Sequence, residues 1–108
     1  MRNLAVPAFH ILLAVSERER HGYAIMQDVA ARTDGKVRLG PGTLYGSIKR
    51  LLDDGLIEER EARDPDDDVR RRYYRITRQG RKVAREESAR LTALLRHARA
   101  VGLVAKTV

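Results

Sequence analysis

The last third of the chain has the periodicity of one long α-helix, predicted from about Arg78 to Val104 with Thr77 as its N-cap. A chain of 108 residues builds one small core, and a helix of this length extends beyond it. Gly80 and Gly102 are the weak points of the predicted helix. Its apolar and small residues recur at a spacing typical of a seam between helices, so we predict a dimer interface. The interface residues are Leu4, Ala84, Leu91, Leu94, Leu95, Ala98 and Val101.

Three shorter helices are predicted before this segment, each with one apolar face. The first runs from about Val6 to Arg18, and the second from His21 to about Thr33, where Asp34-Gly35 ends it. The third begins at Pro41 and ends before Gly55. Their predicted core residues are Leu4, Ile11, Leu12, Val15, Tyr23, Met26, Val29, Ala30, Leu44, Ile48, Leu51 and Leu52.

Two short segments between the third helix and the last one have strand character. They run from Leu56 to Glu61 and from Arg72 to Thr77, and the polar loop around Asp64-Pro65-Asp66 joins them into a hairpin. In the second segment, Tyr74 and Ile76 are expected in the core and Tyr73 nearer to solvent. The predicted fold class is therefore mainly α (α+β): a winged helix-turn-helix with a two-stranded wing and a long C-terminal dimerisation helix. Residues 1–77 would form the winged domain and residues 78–108 the dimerisation helix and tail.

The charge of the chain favours a polyanionic partner. The formal net charge is +7 and the isoelectric point about 10.4, with arginine supplying nearly all of the excess. Arginine suits phosphates and guanine edges, although an arginine-rich solvated surface would give the same composition. Because the apolar run from Leu4 to Val15 is too short to span a bilayer, we expect no membrane partner.

The residue types also limit the chemistry that the chain can perform. With no cysteine, neither disulfides nor thiolate metal sites can form, which favours a reducing cytoplasm. His10, His21 and His97 are far apart in sequence, and we find no metal cluster, phosphate loop or close carboxylate and histidine grouping. We therefore expect no enzyme activity, no metal and no cofactor.

The third helix carries the stronger candidate site. With Leu44 at the centre of its buried face, the opposite side can enter the major groove of double-stranded DNA. Tyr45 would bridge both faces, packing with its ring while its hydroxyl reaches a phosphate. Gly40-Pro41-Gly42 either admits a phosphate to the helix N-terminus or only marks the helix start. The candidate DNA-binding residues here are Gly42, Thr43, Tyr45, Ser47, Lys49 and Arg50, and the sequence does not separate base contacts from phosphate contacts.

The hairpin carries a second candidate site. Arg70, Arg71 and Arg72 can lie against phosphates or in a narrow minor groove. The loop just before them is acidic and would repel a phosphate backbone, unless it folds back and pairs with the arginines. The acidic residues are Asp64, Asp66, Asp67 and Asp68.

Three motifs occur in order along the chain. They are His21-Gly22-Tyr23, then Gly42-Thr43-Leu44-Tyr45 leading to Leu51 and Gly55-Leu56-Ile57, then Arg72-Tyr73-Tyr74-Arg75-Ile76-Thr77 with Gly80. Together they resemble the PadR family of transcriptional regulators, over about Leu4 to Arg81. The resemblance implies a short-form repressor that binds an inverted repeat as a homodimer held by its last helix.

The same resemblance raises the question of an effector, because relatives can take up flat aromatic compounds at the dimer interface. From Arg78 onward there is no Trp, Phe or Tyr to hold such a compound, which favours a plain dimer seam over a small apolar effector site. The main alternative is a winged-helix protein-interaction or scaffold module without specific DNA binding, a role that the acidic stretch from Asp53 to Asp68 would suit.

Overall fold

A computed structural model of the protein describes residues 4–66 and 69–105. These described residues form four helices and a small antiparallel sheet. The elements are α1 (Val6–Ser16), β1 (Arg20–His21), α2 (Gly22–Arg32), α3 (Pro41–Asp53), β2 (Ile57–Arg63), β3 (Arg70–Ile76) and α4 (Arg78–Ala100). The predicted winged helix-turn-helix is confirmed.

The core lies around α1, which packs against α2, α3, α4 and β3. Most of the predicted core positions in α1 and α3 are buried, among them Ile11, Leu12 and Leu44. The prediction was wrong for Tyr23, whose exposed fraction is 56%. In α2 the buried residues are Gly22, Ile25 and Val29, so its apolar face is rotated relative to the predicted one.

The sheet has three strands in the order β1-β3-β2, all antiparallel. The predicted hairpin is present, with both strands reaching further toward the loop than expected, and Ile57 pairs with Ile76 and Arg63 with Arg70. Strand β1 was not predicted. It places Arg20 opposite Tyr74 and His21 opposite Tyr73, and thereby ties the start of α2 to the wing.

Helix α4 begins at the predicted N-cap, where Thr77 Oγ1 accepts a hydrogen bond from the Gly80 amide at 3.0 Å. It ends at Ala100 rather than at Val104. The amides of Gly102 and Leu103 donate to the carbonyls of Arg99 and Ala98 at 3.1 and 2.8 Å, which closes the last turn.

The two halves of α4 have different surroundings. Val83 and Ala84 in the first half pack against the core, whereas Leu94 and Leu95 in the second half are 52% and 48% exposed. The molecule is accordingly elongated, with extents of 52 × 31 × 23 Å. Within residues 4–66 and 69–105, no helix combines the length and the apolarity needed to cross a membrane.

Candidate nucleic-acid interface

Helix α3 presents the predicted polar face to solvent. Leu44, Ile48 and Leu51 are buried against the core, which fixes the rotation of the helix about its axis. Gly40 at the N-cap and Pro41 in the first turn start the helix without a side-chain cap. The structure thus brings the predicted residues of this helix together: Gly42, Thr43, Tyr45, Lys49 and Arg50 are exposed, and Ser47 is half-buried.

Lys49 lies along the outer face of α3 and forms an ion pair with a residue of the same helix. Its Nζ lies 3.1 Å from Oδ2 of Asp53, one turn further on, and both side chains are largely exposed. An exposed pair at this spacing is worth only about 0.3–0.5 kcal/mol. The ammonium group can therefore exchange Asp53 for a stronger anion at small cost.

Tyr45 lies directly over the start of α2. A Cβ atom added to Gly22 would sit 2.5 Å from Tyr45 Oη and 3.0 Å from Cζ. A side chain at this position would push the end of the Tyr45 side chain aside, so glycine leaves room for the phenol ring. This contact joins the motifs His21-Gly22-Tyr23 and Gly42-Thr43-Leu44-Tyr45. The absence of a side chain at Gly22 leaves space for the ring of Tyr45.

A cavity of about 220 Å³ separates α3 from the wing. The exposed Tyr23 borders this cavity instead of entering the core. His21 holds the start of α2 beside it, since its Nδ1 accepts a hydrogen bond from the Ala24 amide at 3.2 Å. Burial raises the pKa of the Tyr74 phenol at the floor. The lining residues are His21, Gly22, Tyr23, Tyr45, Arg71, Arg72 and Tyr74.

The side chains of β2 and β3 alternate between two faces of the wing. We call the face that continues from the core the inner wing face; it consists of Ile57, Glu59, Glu61, Arg63, Arg70, Arg72, Tyr74 and Ile76. The outer wing face consists of Glu58, Arg60, Ala62, Arg71, Tyr73 and Arg75. Because Ile57 and Tyr74 are buried in the same core cluster as Leu44 and Ile48, the inner wing face is the one beside α3.

The two predicted arginines of the inner wing face pair with glutamates of the neighbouring strand. Arg70 Nε donates to Glu61 Oε1 at 2.8 Å, and Arg72 Nη1 lies 3.8 Å from Glu59 Oε2. The hydrogen bond from Arg70 lowers the pKa of the Glu61 carboxyl. Among the described residues, the carboxylate partners of Arg70 and Arg72 are these glutamates, which the strand register places beside them, and not Asp64 or Asp66.

Asp64 of the acidic loop folds back onto the wing. It is buried, and its Oδ2 lies 3.0 Å from Arg71 Nε, which confirms the predicted pairing for this aspartate. Its Oδ1 accepts a hydrogen bond from the Asp66 amide at 2.9 Å, an arrangement that the Asp-Pro-Asp sequence favours. Asp64 therefore anchors the turn of the wing. Asp67 and Asp68 lie outside the described residues.

The outer wing face carries its own ion pairs. Arg75 Nε donates to Glu58 Oε1 at 2.6 Å, and Arg60 Nε donates to Oε2 of Glu19 at 2.8 Å. The guanidinium of Arg60 also lies 5.4 Å from the centre of the Tyr73 ring. Hydrogen bonding by Arg60 lowers the pKa of the Glu19 carboxyl.

The residues predicted for a dimer interface fall into two groups. Leu91, Leu94 and Leu95 are exposed by 38, 52 and 48% on the projecting half of α4, with Ala98 half-buried among them, and Val101 at the C-cap is 72% exposed. Leu4 and Ala84 instead pack partly against the core of their own chain. Leu103, which the sequence analysis missed, is 79% exposed just beyond the end of α4 and extends the apolar strip.

Comparison with known proteins gives one family. The model of the transcriptional regulator PadR-like family matches residues 11–86. A transcriptional regulator of Mycobacterium tuberculosis is 35% identical over 94 residues, which cover 85% of this chain and 81% of that protein. A protein of Lysinibacillus sphaericus is 37% identical over 71 residues, or 66% of this chain, and the match spans only 64% of that relative's length.

Solved structures of transcriptional regulators have the same architecture. A regulator from Clostridium thermocellum superimposes with a TM-score of 0.76 at 26% identity, covering 87% of each chain. Bacillus subtilis PadR, solved in complex with operator DNA, superimposes with a TM-score of 0.67 at 21% identity, covering 76% of this chain and 46% of that one. At 21% identity, the likeness to Bacillus subtilis PadR supports a shared fold and nothing further.

Proposed function

Because the chain belongs to the PadR-like family of transcriptional regulators, we propose that it is a homodimeric repressor that binds a specific site on double-stranded DNA. The observation that carries the proposal is the outer face of α3, where Thr43, Lys49 and Arg50 are exposed on a helix that the buried leucines hold in place. A major groove about 12 Å wide admits such a helix. The operator complex of Bacillus subtilis PadR supports the same class of partner.

The proposed dimer follows from the projecting half of α4. Covering exposed leucines at helical spacing removes apolar surface from water, and a second copy of the same helix covers them symmetrically. A two-fold dimer presents two α3 helices, so the DNA site is proposed to be an inverted repeat. The cytoplasm is the proposed location.

We propose an effector-binding site only at the interface between the two chains. A mostly apolar cavity of about 280 Å³ lies between α1 and α4, with Leu13, Ile76 and Ala84 among its lining residues. Its position beside the predicted seam supports a small apolar molecule as the effector.

The experiment that tests the main proposal is selection of bound duplexes from a random pool, followed by measurement of affinity as a function of salt. A DNA-binding repressor is expected to enrich an inverted repeat and to lose affinity steeply with salt, with a slope near −0.9 per phosphate contact. A winged-helix scaffold module would bind no duplex even at low salt, and that result would contradict the proposal.

Lys49→Ala and Arg50→Ala are each expected to weaken binding to the selected site about tenfold. Loss of a base contact relaxes specificity at one position, whereas loss of a phosphate contact weakens all sequences alike and flattens the salt slope. Fluorescence anisotropy with matched and single-substituted duplexes distinguishes the two roles. Arg75→Ala, on the outer wing face, is the control for the lost charge. Wild-type affinity in both α3 variants would exclude this face.

Gly22→Ala is expected to weaken DNA binding about fivefold by displacing the Tyr45 ring, with little loss of fold, because the clash falls on the end of a side chain. The measurement is a double-mutant cycle with Tyr45→Ala. In the Tyr45→Ala background, the added methyl group should have no further effect on affinity. An equal effect in both backgrounds would show that Gly22 acts independently of Tyr45.

A further inference from the structure

The inner wing face carries two arginines beside α3 that pair with glutamates of the same face. Arg70 donates to Glu61 at 2.8 Å, and Arg72 lies 3.8 Å from Glu59. Arg72 also lines the cavity that Tyr45 of α3 shares. DNA bound to α3 in the proposed way would therefore lie near arginines that are already paired with carboxylates.

Such pairs change what the arginines contribute to binding. To contact a phosphate, each guanidinium must give up some or all of its interaction with a glutamate, and the carboxylate then lies near the phosphate and repels it. The pairs are exposed enough to open, since the Glu59 and Glu61 side chains are 38% and 55% accessible. The chain carries a net charge of +7, yet the charges of Arg70 and Arg72 are each offset by a neighbouring carboxylate.

The effect differs between specific and non-specific DNA. Non-specific binding depends almost entirely on phosphate contacts, whereas a specific site also gains base contacts from the recognition helix. Competition for the arginines lowers the affinity for both kinds of DNA by a similar factor, but it removes the larger share of the binding free energy of a non-specific complex. We propose that Glu59 and Glu61 compete with DNA phosphates for Arg72 and Arg70 and so keep the affinity for non-specific DNA low. The inference rests on the proposed function, because it requires that α3 binds DNA.

The test is the double variant Glu59→Gln/Glu61→Gln, which keeps side-chain size and removes both charges. Its affinity for a random duplex is expected to rise about tenfold at low salt, with a salt slope steeper by up to about 1.8 per protomer. Affinity for the selected site should rise by a similar factor, because the same two arginines become free to contact its phosphates. Anisotropy titrations at several salt concentrations measure both duplexes, and circular dichroism verifies the fold.

The matched control is Glu19→Gln/Glu58→Gln, which removes the same number of charges. These glutamates pair with Arg60 and Arg75 of the outer wing face, so the random-duplex affinity should change far less. An equal rise in the control would mean a general effect of net charge and would overturn the inference. An unchanged salt slope in the Glu59 and Glu61 variant, with normal binding by the unaltered protein, overturns the inference alone. Absence of any duplex binding by the unaltered protein overturns the proposed function as well.

Discussion

Gly80→Ala is expected to lower the free energy of unfolding by about 3 kcal/mol, the largest effect of any single methyl group that we predict. A Cβ atom at this position would lie 2.0 Å from the carbonyl oxygen of Leu56 and 2.8 Å from Cγ1 of Ile76. The Leu56 carbonyl also accepts a hydrogen bond from the Thr77 amide at 3.1 Å, so it cannot move aside without loss of that contact. Urea denaturation at one fixed protein concentration measures the change.

Gly46→Ala is the matched control for this substitution. Gly46 also lies inside a helix, but a Cβ atom there would meet nothing within 4 Å. Alanine at an exposed helical position should therefore raise stability by about 0.5–1 kcal/mol. Comparable stability changes in the two variants would show that helix propensity, and not the approach to Leu56, governs position 80.

Leu91→Glu/Leu95→Glu is expected to convert the proposed dimer to monomers and to weaken binding to the selected DNA site at least about 100-fold. The two leucines lie one turn apart on the apolar strip of α4 and are 38% and 48% exposed in the single chain. Carboxylates there cost little in the monomer but would be buried and unpaired between two helices. Analytical ultracentrifugation gives the oligomeric state, and anisotropy gives the affinity.

Ala89→Glu/Ala93→Glu places the same two charges at the same spacing on the opposite side of α4, where both residues are exposed. This control should remain dimeric. If the leucine variant sediments like the unaltered protein, or if the unaltered protein is itself a monomer, the proposed interface is wrong.

The sequence was sufficient to predict those helices whose ends are marked by nearby capping residues, prolines or glycines. Pro41 and Gly55 bracket α3, and Leu44, Ile48 and Leu51 define its buried side, so the candidate DNA-binding face was predicted residue by residue. Thr77 likewise marked the start of α4. Helix boundaries and one-sided burial depend on neighbours within a turn or two, and a single sequence contains that information.

The features that the sequence did not predict depend on distant partners. Strand β1 has two residues, too few for any periodicity, and exists because β3 offers it an edge. The pairing of Arg70 with Glu61 follows from the register of β2 and β3, which composition does not reveal. Gly80 was predicted to weaken α4 on helix propensity alone, whereas its contact with the Leu56 carbonyl makes it a requirement of the fold.

The division of α4 into a packed half and a projecting half has an evolutionary consequence. Leu94 and Leu95 contribute little to the core of their own chain, and they lie on a different element from Lys49 and Arg50. If α4 forms the proposed dimer interface and α3 the proposed DNA-binding face, then after a gene duplication substitutions on the projecting half can separate the two copies into non-exchanging partners while both keep the same operator. The proposed partner choice and the proposed choice of DNA site would then be inherited on separate parts of the molecule and could diverge independently.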